Sequence, residues 1–522
     1  MEKNVGIDFG TTNTVIYSRD ARGTLKKIGG ESIRSAVYFL TRDDYIIGDD
    51  AIKQAAFGQR CQALVTDFKP KIKERIEIVA ENGKTFSIKG EAVARLFLTK
   101  VFTDYVQPRF KKMFGTVEMT DADKTVITVP AKFDAEKKAR IKNAAKIAYF
   151  KNVGIAFEPT AAAVAASDSD VDDDIIAVYD FGGGTFDVSV IEKNSSDHYV
   201  SLDEDGDPEL GGNLITDTIA EKIFIPLLAE QGIEMSMDIE EMEFDEENSM
   251  SEEEYLQNIW DVKDYIEGLK EHFSEDDDTY SGQINILQNG EKNTVDVELT
   301  KEDFEEAIRD QVQKTVNITR RVINRVKEKD KDVRKIIMAG GSSQLSLAER
   351  LLKKEFEDKG IRILLSDSAF NLIAKGALLM SEQQRLIRVE EKTATQFGVG
   401  IRTGIGRNKF DMLIDVDQQL PVSSRKHFSI DSNILSAGEV AIPCYERDVK
   451  NYPGAVFEGD AGIAHINTYR IAFDRSLQPS GIEVAFDIAR DGTLKLSTSL
   501  YDRNGNRIKN FNAEIMSDNE LE

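Results

Sequence analysis

The sequence predicts an α/β domain over residues 1–384, followed by an all-β domain over residues 395–510. Three observations carry that prediction. Strand-like and helix-like runs alternate in the first part, as they do when helices cover a largely parallel sheet. An apolar strand ending in Asp-Phe-Gly is written twice, at residues 5–10 and 178–182. Past a short charged stretch at 385–394, helical periodicity gives way to period-2 alternation broken by turn residues.

The strand candidates of the first part are 5–8, 126–129, 175–179, 188–191 and 336–339. Each is a short β-branched or apolar run stopped by Gly, Pro or Asp. Helix candidates lie between them. Residues 91–107 set Val93, Leu96, Phe97, Val101 and Tyr105 on one stripe. Residues 135–150 follow Asp134, a suitable N-cap, and residues 300–328 are long and charged on one face. Residues 347–356 read as a helix after the pair Gly340-Gly341. In the second part, 427–430, 439–445, 469–473, 482–488 and 494–500 read as strands. The last two form a hairpin turned at Asp491-Gly492. Residues 385–394 read as a linker, and residues 511–522 as an acidic, frayed tail. Residues 234–254 hold eleven acids and no base, which reads as a solvated helix or loop.

Composition narrows the function classes. With 67 basic and 93 acidic residues the net charge is −26, the wrong sign for a protein that neutralises nucleic-acid phosphates. Two cysteines, Cys61 and Cys444, and four scattered histidines exclude a disulfide scaffold and a thiolate or imidazole metal cluster. There is no apolar run of membrane-spanning length, and residues 1–8 lead directly into a strand without a signal peptide. The expectation is an acidic, cytoplasmic protein that binds neither nucleic acid nor membrane.

The repeated segment is where chemistry enters. Val5-Gly-Ile-Asp-Phe-Gly-Thr-Thr-Asn-Thr14 echoes Val178-Tyr-Asp-Phe-Gly-Gly-Gly-Thr-Phe-Asp187. Each reads as a hairpin whose turn holds only small or hydroxylic residues. Such a turn lets successive backbone N–H groups converge on an anion. Thr11, Thr12 and Thr185 add hydroxyl donors, and Asp8, Asp180 and Asp187 bring carboxylates to the same place. Carboxylates and phosphates share a site only when a cation stands between them, and Mg²⁺ suits that position. Two such hairpins would clamp a polyphosphate. No Gly-x-x-x-x-Gly-Lys-Ser/Thr segment is present, so the chain is not a P-loop protein. A third glycine site, Ala339-Gly-Gly-Ser-Ser343, allows backbone to approach a ring or a ribose.

On these residues the chain resembles the DnaK-type molecular chaperones, the seventy-kilodalton heat-shock family, within the actin and hexokinase superfamily. Asp8–Asn13 is similar to the family's first phosphate signature, and Asp180–Asp187 to its second. Val129-Pro-Ala131 and Glu158-Pro-Thr-Ala-Ala-Ala163 are similar to its connecting segments, and Ala339–Ser343 to its adenosine segment. The resemblance implies a two-lobed, actin-like ATPase followed by a β-sandwich that grips extended apolar peptides, with ATP or ADP and Mg²⁺ as ligands. By position, Gly10, Thr11, Thr12, Asn13 and Gly182, Gly183, Gly184 and Thr185 would hold the phosphates. Asp8 and Asp187 would hold Mg²⁺ through water. Lys69 corresponds to the catalytic lysine, Glu158 to the water-orienting acid, and Asp180 supports them. Glu267 and Lys270 correspond to the nucleoside clamp, and Gly340, Gly341 and Ser342 to the adenosine contacts. Phe410, Phe428 and Val440 correspond to positions lining the peptide groove.

The chain departs from the family pattern in four places. Gly154 replaces an Arg tied to J-domain co-chaperones, the linker is charged, Gln344 replaces an Arg, and no helical lid of the usual length follows the β domain. The expected partners are unfolded polypeptide segments, with a J-domain co-chaperone and a nucleotide-exchange factor as further candidates. The alternative is a diverged, nucleotide-gated binding protein with slow or no turnover and one dedicated partner. A small-molecule kinase or a filament former would have no use for the appended β domain.

Overall fold

A computed structural model describes residues 3–58, 61–114, 124–131, 133, 135–167, 175–194, 198–237, 250–274, 277–365, 369–382, 388–390, 393, 395–402, 407–416, 418–449, 452–489 and 494–514. Asp134, most of the acidic run and linker, the turn at Asp491-Gly492 and the end of the tail lie outside the described residues. The chain divides into two units, Met1–Pro130 with Ala144–Ile387, and Ala131–Asn143 with Arg388–Glu522. Among the described residues no helix is long and apolar enough to cross a membrane.

The first unit contains two sheets built to one plan. In one, the strands run in the order Val153–Phe157, Lys124–Val129, Asn4–Phe9, Asn13–Arg19, Leu25–Arg34. Its first two pairings are parallel and its last two antiparallel. In the other, the five strands that the first unit contributes run in the order Arg362–Leu365, Lys335–Ala339, Ile175–Phe181, Phe186–Asn194, His198–Asp207. Again two parallel pairings precede two antiparallel ones. The echo in the sequence is therefore one hairpin of a repeated five-strand pattern.

A helix follows the outer parallel strand of each sheet, Glu158–Ser167 in the first and Ala369–Glu382 in the second. Glycine lets the two approach. A Cβ at Gly376 would stand 1.7 Å from the Ala161 carbonyl oxygen. A Cβ at Gly6 would stand 2.1 Å from the Leu378 nitrogen, so the strand Asn4–Phe9 lies directly on the second helix.

The remaining helices show how local sequence sets boundaries. Thr300 caps the helix Lys301–Lys327, its hydroxyl accepting from the Asp303 N–H at 3.1 Å. Ser251 and Glu254 form a capping box on Glu252–His272. The run expected at 91–107 is helical from Gly90 to Phe114, with a wide π turn at Val101–Val106. The turn's extra residue shifts the phase of the stripe. Val93, Phe97 and Val101 are buried as expected, and past the turn Val106 takes the place of Tyr105; before it, Leu98 rather than Leu96 is buried. The helix Ala135–Ile147 stops before Phe150, because Tyr149 takes a left-handed backbone with φ +72°.

The second unit carries two four-stranded antiparallel sheets. One has the order Asn408–Ile414, Gln396–Arg402, Glu439–Arg447, Ile463–Ala472. The other has Val422–Ser429, Gly481–Ile488, Leu494–Tyr501, Arg507–Glu514. Val399, Ile414, Val440, Ile442 and Ile471 from the first sheet join Ile482, Val484, Phe486, Leu494 and Leu496 from the second in one core, as in a β-sandwich. Five of the eight strands match those read from the sequence, and 396–402, 408–414 and 507–514 are additional.

Candidate functional site

The two Asp-Phe-Gly turns meet. A Cβ at Gly183 would stand 2.0 Å from Thr12 Oγ1, and one at Gly184 3.5 Å from Thr11 Oγ1. They face one another across a cleft of about 460 Å³ in the first unit. Gly10, Thr11, Thr12 and Asn13 line one wall, and Gly182, Gly183, Gly184 and Thr185 the other. Asp8, Lys69, Glu158 and Asp180 lie in the same lining, as do Glu267, Lys270, Gly340, Gly341 and Ser342. Asp187 adjoins it, accepting from the Thr185 hydroxyl at 3.2 Å.

Each wall is fixed from outside. Ser35 donates its hydroxyl to the Gly10 carbonyl at 2.8 Å, and its N–H to the Thr12 carbonyl at 2.8 Å. The second turn is held by the segment Gly211-Gly212-Asn213. The N–H of Gly212 reaches the Gly182 carbonyl at 2.9 Å, and that of Asn213 the Gly183 carbonyl at 2.7 Å. A Cβ at Gly211 would stand 2.4 Å from the Gly184 carbonyl carbon, so only glycine permits this approach. Ser342 Oγ donates to the Gly182 carbonyl at 2.9 Å. Gly340, with φ +79°, brings the third glycine site against Asp180.

The floor is a dense set of charges. Lys69 Nζ donates to Glu158 Oε1 at 2.8 Å, with the lysine side chain 3% exposed. Phe68, buried against Phe9 and Phe97, anchors the turn that presents Lys69. Pro159 follows Glu158 and restrains its backbone. Removal from bulk water, and then the Glu158 charge, push the Asp8 carboxyl up to about 7, although Lys69 and the Thr128 hydroxyl, 3.1 Å away, oppose the rise. Asp180 lies well above the carboxylate range, first from burial and then from Glu158, Asp8 and Asp187. Ionising all four carboxylates around one ammonium would leave an excess of buried negative charge, which a bound cation would relieve. Among the described residues no three His, Cys, Asp or Glu side chains converge closely enough to ligate an ion directly. Oxygen donors of this kind are the type a hard divalent cation takes.

The far end of the cleft has a different character. Lys270 Nζ donates to Glu267 Oε1 at 2.6 Å, to Thr216 Oγ1 at 2.9 Å and to the Gly212 carbonyl at 3.1 Å. Burial holds the Lys270 ammonium below its ordinary range, with Glu267 opposing the shift. Arg34, Asn213, Glu271, Ser274 and Gln344 also line the cleft. The sequence alone did not single out Asn213, Arg34 or Ser35, although Gly211-Gly212 was a legible signal for the first.

The three positions assigned to a peptide groove lie in the second unit. Val440 is inside the sandwich core, and Phe428 packs on that core half-buried. Phe410 is buried beside the Arg447 guanidinium, 5.9 Å from its ring centroid.

A family model described as Hsp70 protein matches residues 4–522. The chaperone protein DnaK of Mycoplasma mobile is 27% identical over 518 residues, which is 98% of this chain and 78% of that protein. The chain belongs to the Hsp70 family, whose members are chaperones with ATPase activity.

Proposed function

We propose that this member of the Hsp70 family binds and hydrolyses ATP in the cleft, and uses the cycle to change the affinity of its β-sandwich for extended apolar segments of unfolded proteins. The observation that carries the reading is the contact between two glycine-threonine turns over a floor of four carboxylates and one lysine. Gly10–Asn13 and Gly182–Thr185 hold the phosphates through backbone N–H groups and hydroxyls. Asp8 and Asp187 would hold Mg²⁺ through water, and the ion would supply the charge neutralisation that lets phosphates sit among carboxylates. Lys69 stabilises charge developing on the γ-phosphate, and Glu158, fixed by its bond to Lys69, orients the attacking water. Asp180 backs the same floor. Glu267 and Lys270 take the nucleoside, with Gly340, Gly341 and Ser342 along the adenosine. Phe410, Phe428 and Val440 belong to the peptide-binding region.

The chain's partners are unfolded polypeptides, with a J-domain co-chaperone and a nucleotide-exchange factor as regulators, in a cytoplasmic setting. The test is a calorimetric titration with ATP and Mg²⁺, paired with single-turnover hydrolysis by wild type and Lys69→Ala. Wild type should bind and hydrolyse. Lys69→Ala should bind with similar affinity and lose turnover by roughly a hundredfold or more, the scale of one electrostatic stabiliser. Absence of nucleotide binding sinks the reading. Binding without wild-type turnover would favour the nucleotide-gated alternative.

A further inference from the structure

We infer that Asn213 is a positioning residue for Lys69, acting across the cleft through Asp67. The inference rests on the proposed role of Lys69 at the phosphates. Asn213 Nδ2 donates to Asp67 Oδ1 at 3.2 Å. Asp67 stands two residues before Lys69 and takes a left-handed backbone with φ +48°. A non-glycine residue is held there only when its surroundings fix it. Phe68, between the two, is 1% exposed and packs on Phe9 and Phe97. The turn that delivers Lys69 is thus pinned by an aromatic anchor on one side and a polar tie on the other.

The far end of that tie is equally constrained. Asn213 is the second residue of the helix Gly212–Ile219, and its own N–H donates to the Gly183 carbonyl at 2.7 Å. One residue therefore grips the second phosphate turn with its backbone and the Lys69 turn with its side chain. Displacement of either turn is passed to the other through four bonded groups: Gly183 carbonyl, Asn213 N–H, Asn213 amide and Asp67 carboxylate. The arrangement sets the distance between the lysine and the phosphate-holding backbone, a quantity to which phosphoryl transfer is sensitive.

The experiment compares Asn213→Ala, Asn213→Asp, Asp67→Ala and the swap Asp67→Asn/Asn213→Asp, all in the full chain. Thermal melting first confirms that each variant folds. ATP affinity and single-turnover rate are then measured separately. Asn213→Ala and Asp67→Ala should slow hydrolysis about ten- to a hundredfold with ATP affinity within about threefold of wild type. Asn213→Asp sets two carboxylates together and should be slower still. The swap restores the bond with donor and acceptor exchanged, and should recover most of the rate. A readout independent of turnover is the labelling of Lys69 by an amine-acylating reagent without nucleotide, followed by mass spectrometry. The buried wild-type amine should react slowly, the single variants several-fold faster, and the swap slowly again. Unchanged hydrolysis and labelling in Asn213→Ala, or a swap no better than Asn213→Asp, would overturn the inference while leaving the ATPase reading intact. A wild type that does not hydrolyse ATP overturns both.

Discussion

Asp261 shows how a single carboxylate becomes a stability switch outside the cleft. It lies on the helix Glu252–His272, where Gln257 Nε2 donates to its Oδ1 at 3.0 Å. Burial, with a smaller contribution from Asp264, pushes its carboxyl from 3.8 up to about 6. The sign follows from linkage. The folded chain holds this proton more tightly than the unfolded chain, so an ionised Asp261 costs stability at pH above about 6. The cost fades as pH falls from 6 towards 3.8, where both states are protonated. Asp261→Asn keeps an acceptor for Gln257 and removes the charge. It should raise the melting temperature at pH 7.5, with an advantage over wild type that shrinks steadily down to pH 4.5. An advantage independent of pH would mean that burial of this carboxylate does not set its ionisation.

The two helices Glu158–Ser167 and Ala369–Glu382 join packing to chemistry. The carbonyl of Ala161 and the backbone of Gly376 leave no space for a methyl group, since the added Cβ would lie 1.7 Å from oxygen. Gly376→Ala must push the helices apart, at about 1–3 kcal/mol or more for overpacking. Glu158 opens the first of these helices, so its bond to Lys69 is strained by the same displacement. Urea denaturation should show the stability loss, and ATP turnover should fall with it. Wild-type values in both would mean that the contact is looser than the backbone geometry states. The same helices mark what was legible in sequence. The Asp-Phe-Gly echo exposed one hairpin from each sheet, because a turn packed this closely excludes bulky residues and leaves a signature. Nothing comparable marks the strand order, which depends on pairings far apart in the chain. In the second unit, Gly398 and Gly400 interrupt the apolar run of Gln396–Arg402. Lys509, Asn510 and Asn512 mask Arg507–Glu514, whose pattern is too polar to stand out. The bond between Asn213 and Asp67 was equally silent, since a side-chain hydrogen bond requires only a donor and an acceptor that the fold brings together.

At the scale of the whole molecule the proposal is a coupling between nucleotide and peptide. If ATP weakens peptide binding by some factor, linkage requires that peptide weaken ATP binding by the same factor. Couplings of this kind are typically about 5–150-fold, well within reach of a fluorescence-anisotropy titration. A labelled extended peptide with an apolar centre should bind more weakly in the presence of ATP and Mg²⁺ than with ADP. Lys69→Ala, which is expected to bind ATP without turning it over, should remain in the weak-binding condition. The net charge of −26 adds a second expectation. Peptides flanked by lysine or arginine should associate faster than neutral ones, and added salt should erase that difference, because long-range attraction is screened. A coupling carried by nucleotide contacts inside the cleft should survive the same salt far better. Equal peptide affinity with and without ATP would break the link between the two ligands, even if each binds its own site.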